Sequence, residues 1–162
     1  MEESKAMKQV DVAIIMGSKS DLEAAKETER ILKEFDIKYK MKVLSAHRTP
    51  DQTVKFAKNA EEEGIKVIIA LAGKAAHLAG VIAAHTILPV IGVPMDTKDL
   101  KGIDSLFSTV QMPAGVPVAC MTIGKVGAKN AAYYAVEILA LKEKVLKERL
   151  NRHKEEGAKG GI

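Results

Sequence analysis

The stretch VDVAIIMG, residues 10–17, is a nearly continuous apolar run that is rich in β-branched side chains and ends in a glycine. Such a run is typical of a strand that is buried on both faces of a sheet. From Ser20 to Phe35 apolar residues recur at helical spacing, and we predict that Ser20 caps the start of this helix. A buried strand that leads directly into an amphipathic helix indicates an α/β fold.

The same alternation continues to the end of the chain. We predict further strands over 37–45, 65–73, 88–94 and 116–124, and further helices over 49–64, 75–86, 103–111 and 128–153. Five alternating strands favour a three-layer, flavodoxin-like (Rossmann-like) parallel sheet in the order 2-1-3-4-5, with a long C-terminal helix. We expect one domain over 1–162, with its core at about 10–141 and the C-terminal helix and a frayed tail over 142–162.

The last predicted helix, 128–153, is apolar on nearly all sides as far as Leu141. A helix without a polar face needs cover on every side, and in a chain of 162 residues the simplest cover is another subunit. The sequence therefore predicts a homo-oligomer.

Composition argues against several classes of partner. The net charge is +4, but the segment 141–162 alone contributes +3, so the rest of the chain is nearly neutral and nucleic-acid binding is not expected. The N-terminus is not built like a signal peptide, and no apolar run is long enough to cross a membrane. Cys120 is the only cysteine, which fits a reducing compartment, so we expect a cytoplasmic protein.

Polar residues follow each predicted strand. In an open parallel sheet, ligands bind outside the carboxyl ends of the strands, so the topology brings these residues to one rim. The five sets are Gly17–Asp21, Ser45–Arg48, Gly73–His77, Pro94–Asp96 and Thr122–Lys125. Each set alone is explained by helix capping or a solvated turn, but together they predict a polar, largely cationic site.

The residue types at this rim indicate a phosphorylated sugar or nucleotide as ligand. Gly17 and Gly73 let backbone amides approach an anion, and the guanidinium of Arg48 can hold a phosphate with two hydrogen bonds. Asp21 can accept hydrogen bonds from sugar hydroxyls. His47 remains as a group that can move a proton near neutral pH.

Missing motifs narrow the chemistry. The sequence has no Walker A loop, no G-x-G-x-x-G after the first strand, no zinc-type His/Cys spacing and no G-x-S-x-G elbow. We therefore expect no metal site, no ATP hydrolysis and no dinucleotide or acyl-transfer chemistry. A flavin is also disfavoured, because no aromatic residue in the strand-end loops is available to stack on it.

Five segments together resemble the PurE family of purine biosynthesis. They are GSKSD (17–21), SAHRTPD (45–51), AAHLAG (75–80), PVIGVP (89–94) and DSLFSTVQMPAGVPVA (104–119), and the similarity extends from about Val12 to about Leu139. The resemblance implies a flavodoxin-like homo-octamer in which C-terminal helices reach neighbouring subunits. It also implies that the chain is an N5-carboxyaminoimidazole ribonucleotide mutase, with a transient functional link to an ATP-dependent carboxylating enzyme.

The resemblance further assigns binding positions. Ser18, Asp21 and Arg48 match positions that bind the ribose phosphate part of the ligand, and we include Ser20 with them.

A second group of binding positions surrounds the imidazole and the carboxylate of the ligand. Ser45, Gly73 and Leu78 match these positions, and we include Ala46 and Lys74 in the predicted substrate-binding set.

His47 matches the general acid/base of the family, and His77 matches its second site histidine. The implied reaction removes carbon dioxide from N5 of the substrate and adds it at C4. His47 first gives a proton to the nitrogen and later takes the proton from C4, so no cofactor is needed.

The chain departs from the family pattern at two positions of the active-site loop. Lys74 replaces a glycine and Ala79 replaces a proline of the bacterial mutases. Lys74 resembles the arginine of the animal-type enzymes that carboxylate aminoimidazole ribonucleotide directly, whereas Ala75-Ala76-His77 resembles the mutases. Direct carboxylation and a non-catalytic module that binds phosphoribosyl ligands therefore stay open as alternatives.

Overall fold

The computed structural model describes residues 10–159, and its sheet confirms the predicted fold class and strand order. Five parallel strands are arranged as β2-β1-β3-β4-β5. The strands are β1 (Val12–Met16), β2 (Tyr39–Val43), β3 (Val67–Gly73), β4 (Val90–Met95) and β5 (Ala119–Cys120). The helices are α1 (Leu22–Glu34), α2 (Pro50–Asn59), α3 (Leu78–Ala83), α4 (Ile103–Val110), α5 (Gly124–Ala140) and α6 (Lys144–Ala158).

The predictions at the two chain ends are tested only in part. The polar segment 1–9 and residues 160–162 of the predicted frayed tail lie outside the described residues. The last helix is predicted to end at His153, whereas α6 continues to Ala158. Among residues 10–159, no helix combines the length and the hydrophobicity that crossing a membrane requires.

The central strands are buried on both faces because helices pack on each side of the sheet. Val12, Ile14 and Met16 of β1 point into a core shared with α1, α5 and α6. Ala13 and Ile15, which alternate with them, point into a second core shared with α2 and α3. α4 packs on this second face, so closely that a Cβ at Gly92 of β4 would overlap Thr109.

The start of the first helix differs from the prediction. A short 3-10 helix (Lys19–Asp21) precedes α1, and its N-cap is Ser18 rather than Ser20. The Ser18 hydroxyl accepts a hydrogen bond from the Ser20 N–H at 3.4 Å, and the Asp21 carboxylate accepts one from the Ser18 N–H at 3.1 Å. This reciprocal pair is a capping box, and it leaves the Ser20 side chain exposed.

The helix predicted over 75–86 is shorter in the structure, where α3 comprises only Leu78–Ala83. Lys74 adopts a left-handed backbone conformation with φ +57°, so the chain turns after β3 before the helix begins. The helix predicted to end at Gly64 likewise ends at Asn59, and a non-helical turn connects it to Gly64 at φ +85°.

The prediction of a single long C-terminal helix over 128–153 is wrong, because the structure has two helices there. α5 ends at Ala140, and α6 folds back after Glu143, which has extended backbone angles. The reversal buries Leu146 and Leu150 of α6 in the core that contains α1 and α5. Burial of these apolar side chains stabilises the folded-back arrangement over a straight helix that would leave them in water.

Residues of the same chain therefore cover much of the apolar surface of α5. The His153 ring of α6 stacks on Tyr133 of α5 with centroids 4.8 Å apart. The Arg149 guanidinium donates to the Phe35 carbonyl at 3.0 Å. On the outward side of α5, Val126 stays 60% exposed.

The fifth strand is also shorter than predicted. Only Ala119 and Cys120 pair with β4, whereas the pattern predicted a strand over 116–124. Pro117 has no backbone N–H to donate to a ladder, so the segment before Ala119 cannot continue regular pairing.

Candidate active site

A cleft of about 730 Å³ opens at the carboxyl edge of the sheet. β1 and β3 are neighbours at the centre of the sheet, and the chain leaves them toward opposite faces, which makes this edge the switch point of the fold. Loops that follow β1, β2, β3 and β4 line the cleft, together with the first turn of α5. All eleven predicted site residues lie along it: Ser18, Ser20, Asp21, Ser45, Ala46, His47, Arg48, Gly73, Lys74, His77 and Leu78.

Asp21 is the buried acidic group of the cleft, with 6% of its surface exposed. Its carboxylate accepts hydrogen bonds from the Ser18 N–H at 3.1 Å and from the Ser20 hydroxyl at 3.4 Å. Burial raises the pKa of the Asp21 carboxyl above its ordinary value, while these hydrogen bonds and the Arg48 charge oppose that rise. The protein therefore holds a partly desolvated acceptor at a fixed position in the cleft.

Arg48 extends across the cleft toward the segment that contains Asp21. Its guanidinium donates to the Gly17 carbonyl at 3.1 Å, which joins the loop after β2 to the loop after β1. The Arg48 N–H donates to the Ser45 hydroxyl at 3.1 Å. The side chain is exposed, so its remaining N–H groups face the cleft and solvent.

The loop that carries His47 is held by threonines of the following helix. The Ser45 N–H donates to the Thr49 hydroxyl at 2.9 Å. The Ser45 carbonyl accepts from the hydroxyls of Thr49 at 3.1 Å and Thr53 at 3.2 Å. These bonds fix the loop backbone, so the imidazole of His47 emerges from a rigid support.

The two predicted histidines meet in the cleft although they are thirty positions apart in the chain. His47 Nε2 lies 2.7 Å from His77 Nδ1, and the rings are perpendicular with centroids 4.9 Å apart. At that distance one nitrogen carries the proton and the other accepts it. The two exposed rings therefore share one hydrogen bond, and the other nitrogen of each ring, Nδ1 of His47 and Nε2 of His77, is available to a ligand.

The loop after β3 is shaped by two unusual positions. A Cβ at Gly73 would lie 3.2 Å from the Thr97 methyl group, so the backbone packs closely against the loop after β4. Lys74 follows with its φ of +57°, a region in which side chains other than glycine are strained. Leu78 then begins α3 and is buried beneath the cleft.

We expect Lys74→Gly to be more stable than Lys74→Ala. In a regular helix or strand alanine is the better residue, but at a positive φ the order is reversed because only alanine carries a clashing Cβ. The difference should be about 1 kcal/mol. Urea unfolding of both variants at one protein concentration measures it, and equal or reversed stabilities would contradict the left-handed conformation.

The cleft also contains residues that the sequence did not assign to the site. Thr97 lies against Gly73, and Asp96 and Lys125 also line the cleft. The sequence predicts that Asp96 and Lys125 lie at the rim, because they follow predicted strands, but it assigns neither residue a role in binding or catalysis. No sequence signal marked Thr97, because its contribution depends on how closely two loops approach. Within residues 10–159, no cluster of three or more His, Cys, Asp or Glu side chains is arranged to hold a metal ion.

Comparisons with known proteins agree with this architecture. A protein of Pyrococcus abyssi (strain GE5 / Orsay), named N5-carboxyaminoimidazole ribonucleotide mutase, is 57% identical over 145 residues, which cover 90% of this chain and 82% of that protein. A protein of the same name from Escherichia coli (strain K12) is 53% identical over 140 residues, covering 86% of this chain and 83% of the other.

The structural match has the same extent. The crystal structure of Treponema denticola PurE superposes with a TM-score of 0.82 at 28% identity and covers 92% of each chain. A family model described as AIR carboxylase matches residues 11–159. Sequence and structure thus agree over nearly the whole described chain, and this protein belongs to the AIR carboxylase family.

Proposed function

We propose that this protein is an N5-carboxyaminoimidazole ribonucleotide mutase of de novo purine biosynthesis. Relatives that bear this name are 50–57% identical to it over most of its length. The observation that carries the proposal is the cleft itself, which contains a hydrogen-bonded pair of histidines together with an arginine and a buried carboxylate. The arginine and the carboxylate suit a phosphoribosyl ligand, and the two histidines suit a proton transfer at its base.

The polar groups of the cleft divide between the two ends of this substrate. Arg48, Ser18 and Ser20 bind the phosphate, since a guanidinium and two hydroxyls supply donors to its oxygens. Asp21 accepts hydrogen bonds from the ribose hydroxyls.

The aminoimidazole and the carboxyl group lie at the other end of the cleft. Ser45 and Ala46 come from the loop after β2, and Gly73, Lys74 and Leu78 come from the end of β3 and the segment after it, and all five line the cleft. The ring is thereby presented to the histidine pair.

His47 acts as general acid and then as general base. As the C–N bond of the N5 carbamate breaks, carbon dioxide leaves, and His47 gives its proton to the nitrogen that keeps the electron pair. C4 of the aminoimidazole attacks the carbon dioxide, because the ring amine donates electrons into the ring. His47, now unprotonated, removes the C4 proton and restores the aromatic ring, so protons and electrons balance over the cycle.

His77 supports this cycle through its hydrogen bond with His47. The 2.7 Å contact fixes the orientation of the His47 ring. Carbon dioxide must stay beside C4 between the two steps, because its escape would leave only decarboxylation. Confinement of both reactants in one cleft supplies much of the rate acceleration, and no cofactor is required.

A second candidate reaction is the direct carboxylation of aminoimidazole ribonucleotide by carbon dioxide. Lys74 favours it, because this residue differs from the glycine of the mutase pattern. The test supplies the protein with N5-carboxyaminoimidazole ribonucleotide at low bicarbonate and, separately, with aminoimidazole ribonucleotide plus bicarbonate. Absorbance then follows 4-carboxyaminoimidazole ribonucleotide.

The two reactions predict different results in this assay. Turnover of the first mixture supports the mutase, and turnover of the second alone would make the protein a direct carboxylase. If neither mixture reacts but the ligands bind, the protein is a non-catalytic phosphoribosyl-binding module.

We also propose a homo-oligomer, an octamer by resemblance, with the outward face of α4 in an interface. Ile103, Phe107 and Val110 recur at helical spacing along this face, and Leu100 lies in the turn just before the helix. All four side chains are 47–58% exposed, and we call them the α4 stripe. The inward face instead buries the hydroxyls of Ser105 and Thr109. A helix with its apolar side outward is typical of a subunit interface.

We expect Phe107→Glu to dissociate the oligomer. The substitution places a carboxylate at the centre of the α4 stripe, and burial of that charge without a partner would strongly disfavour association. Light scattering coupled to size-exclusion chromatography gives the mass of the particle. Lys55→Glu, which introduces the same group on the exposed side of α2, is the control and should keep the wild-type mass. An unchanged mass for Phe107→Glu would remove the α4 stripe from the interface.

The remaining partners follow from the same reaction. The mutase substrate is a carbamate that an ATP-dependent carboxylating enzyme must supply, so we propose a transient functional link to such an enzyme. A cytoplasmic location is consistent with the single cysteine, Cys120.

A further inference from the structure

Lys74 is the cation that the cleft presents beside the histidines. Two other cations line the cleft, but both interact with the segment 17–23 that follows β1. Arg48 donates to the Gly17 carbonyl, and Lys125 lies 3.7 Å from Glu23 at the start of α1. Lys74 instead shares its loop with His77, three positions along the chain. Lys74 is therefore the lysine that the chain places in the same loop as one of the two histidines.

The Lys74 ammonium is paired with a residue of the neighbouring loop. Lys74 Nζ lies 3.5 Å from the Asp99 carboxylate, which belongs to the loop between β4 and α4. The backbones of the two loops are already in close contact at Gly73 and Thr97. The pair therefore joins two segments that do not need it in order to stay together.

Breaking the Lys74–Asp99 ion pair costs the protein little stability. Both side chains are more than 70% exposed, and an exposed pair of this kind contributes little to stability because water screens it. The backbone of Lys74 is fixed by its turn, but the four-carbon side chain can rotate. A ligand carboxylate inside the cleft, where solvent is partly excluded, offers the ammonium group a stronger partner than Asp99 does.

We infer that Lys74 selects ligands with a carboxyl group on the aminoimidazole, and that Asp99 holds the Lys74 side chain aside until such a ligand binds. The inference rests on the proposed function, because the carboxyl group is the group that the proposed reaction moves. Lys74 binds the ligand carboxylate directly. Asp99 is a positioning residue that acts only through Lys74.

Calorimetric titration tests this selectivity without requiring turnover. The two probes are 4-carboxyaminoimidazole ribonucleotide and aminoimidazole ribonucleotide, which differ only in the carboxyl group. We expect Lys74→Met to weaken binding of the first about tenfold, the loss typical of a hydrogen bond to a charged group, and to change binding of the second by less than twofold. Lys74→Arg should restore most of the lost affinity.

A double-mutant cycle tests the role of Asp99. Asp99→Asn releases Lys74, so it should tighten binding of the carboxylated ligand by up to about fivefold, the range of an exposed ion pair. The same substitution made together with Lys74→Met should change nothing. Lys98→Met, on the same loop, is the control and should leave both affinities at the wild-type values.

The contrary results are distinct from a failure of the proposed function. Equal weakening of both ligands by Lys74→Met, or no weakening of either, would overturn the selectivity. An effect of Asp99→Asn that persists in the Lys74→Met protein would overturn the coupling. If the wild-type protein binds neither ribonucleotide, it is the proposed function that fails.

Discussion

Replacement of His47 by asparagine should reduce kcat by about 10²–10⁴-fold, the usual contribution of a general acid/base. Asparagine retains a hydrogen-bonding group that can face His77, but it cannot give a proton to the substrate nitrogen or take one from C4. The side chain is exposed, and its loop is held by Thr49 and Thr53 rather than by the ring. The folded structure and the affinity for the substrate should therefore survive the change.

Steady-state kinetics on N5-carboxyaminoimidazole ribonucleotide measure the loss, and calorimetry measures binding. His85→Asn is the matched control, because His85 lies just after α3, bonds to the carbonyl of Val81 and does not line the cleft. We expect it to leave kcat unchanged. If His47→Asn keeps kcat within tenfold of the wild-type value, His47 is not the acid/base and the binding-module alternative gains support.

The fold could be predicted because the strongest signals in this sequence are local. The apolar runs that became β1 and β3 have no competing interpretation, and alternation with helices is enough to set a parallel sheet. The prediction failed where long-range packing decides. The residues around Leu141 carry no Gly or Pro to end a helix, and only the burial of Leu146 and Leu150 in the main core makes the chain fold back.

The position of the site was predictable for a topological reason, since the carboxyl ends of parallel strands meet at one edge. The details depended on conformations that composition does not reveal. Ser18 rather than Ser20 caps the first helical turn, and Lys74 takes a left-handed φ that residue preferences assign to glycine. The contact between His47 and His77 required two loops from different strands to be in place, so spacing along the chain could not predict it.

Asp21→Asn should weaken ligand binding and yet stabilise the protein. A charged acceptor contributes about 1.5–3 kcal/mol per hydrogen bond, so loss of the charge should raise Kd for the ribonucleotide by about tenfold to a hundredfold. Stability should change in the opposite direction, because burial makes the ionised carboxylate costly in the ligand-free protein. Asparagine keeps the shape of the side chain and one oxygen to accept from the Ser18 N–H.

The stability difference should depend on pH in a defined direction. Folding raises the pKa of the Asp21 carboxyl, so the folded state binds its proton more tightly than the unfolded state does. Stability from this group is therefore fully present below the ordinary carboxyl pKa and is lost as the pH rises through the raised value. The advantage of Asp21→Asn over the wild type should be largest at neutral pH and should shrink as the solution is acidified through that range.

Thermal melting of both proteins across this pH range provides the measurement, and Asp51→Asn provides the control. Asp51→Asn is the same chemical change in the first turn of α2, where the side chain is exposed. The negative charge of Asp51 interacts favourably with the dipole of this helix. Its replacement should slightly lower the melting temperature at neutral pH and leave ligand affinity unchanged. An Asp21→Asn protein that is less stable than the wild type at neutral pH would mean that hydrogen bonds to the carboxylate outweigh its burial. Asp21 would then serve the fold as a capping residue first, and its use in binding the ribose would carry no cost in stability.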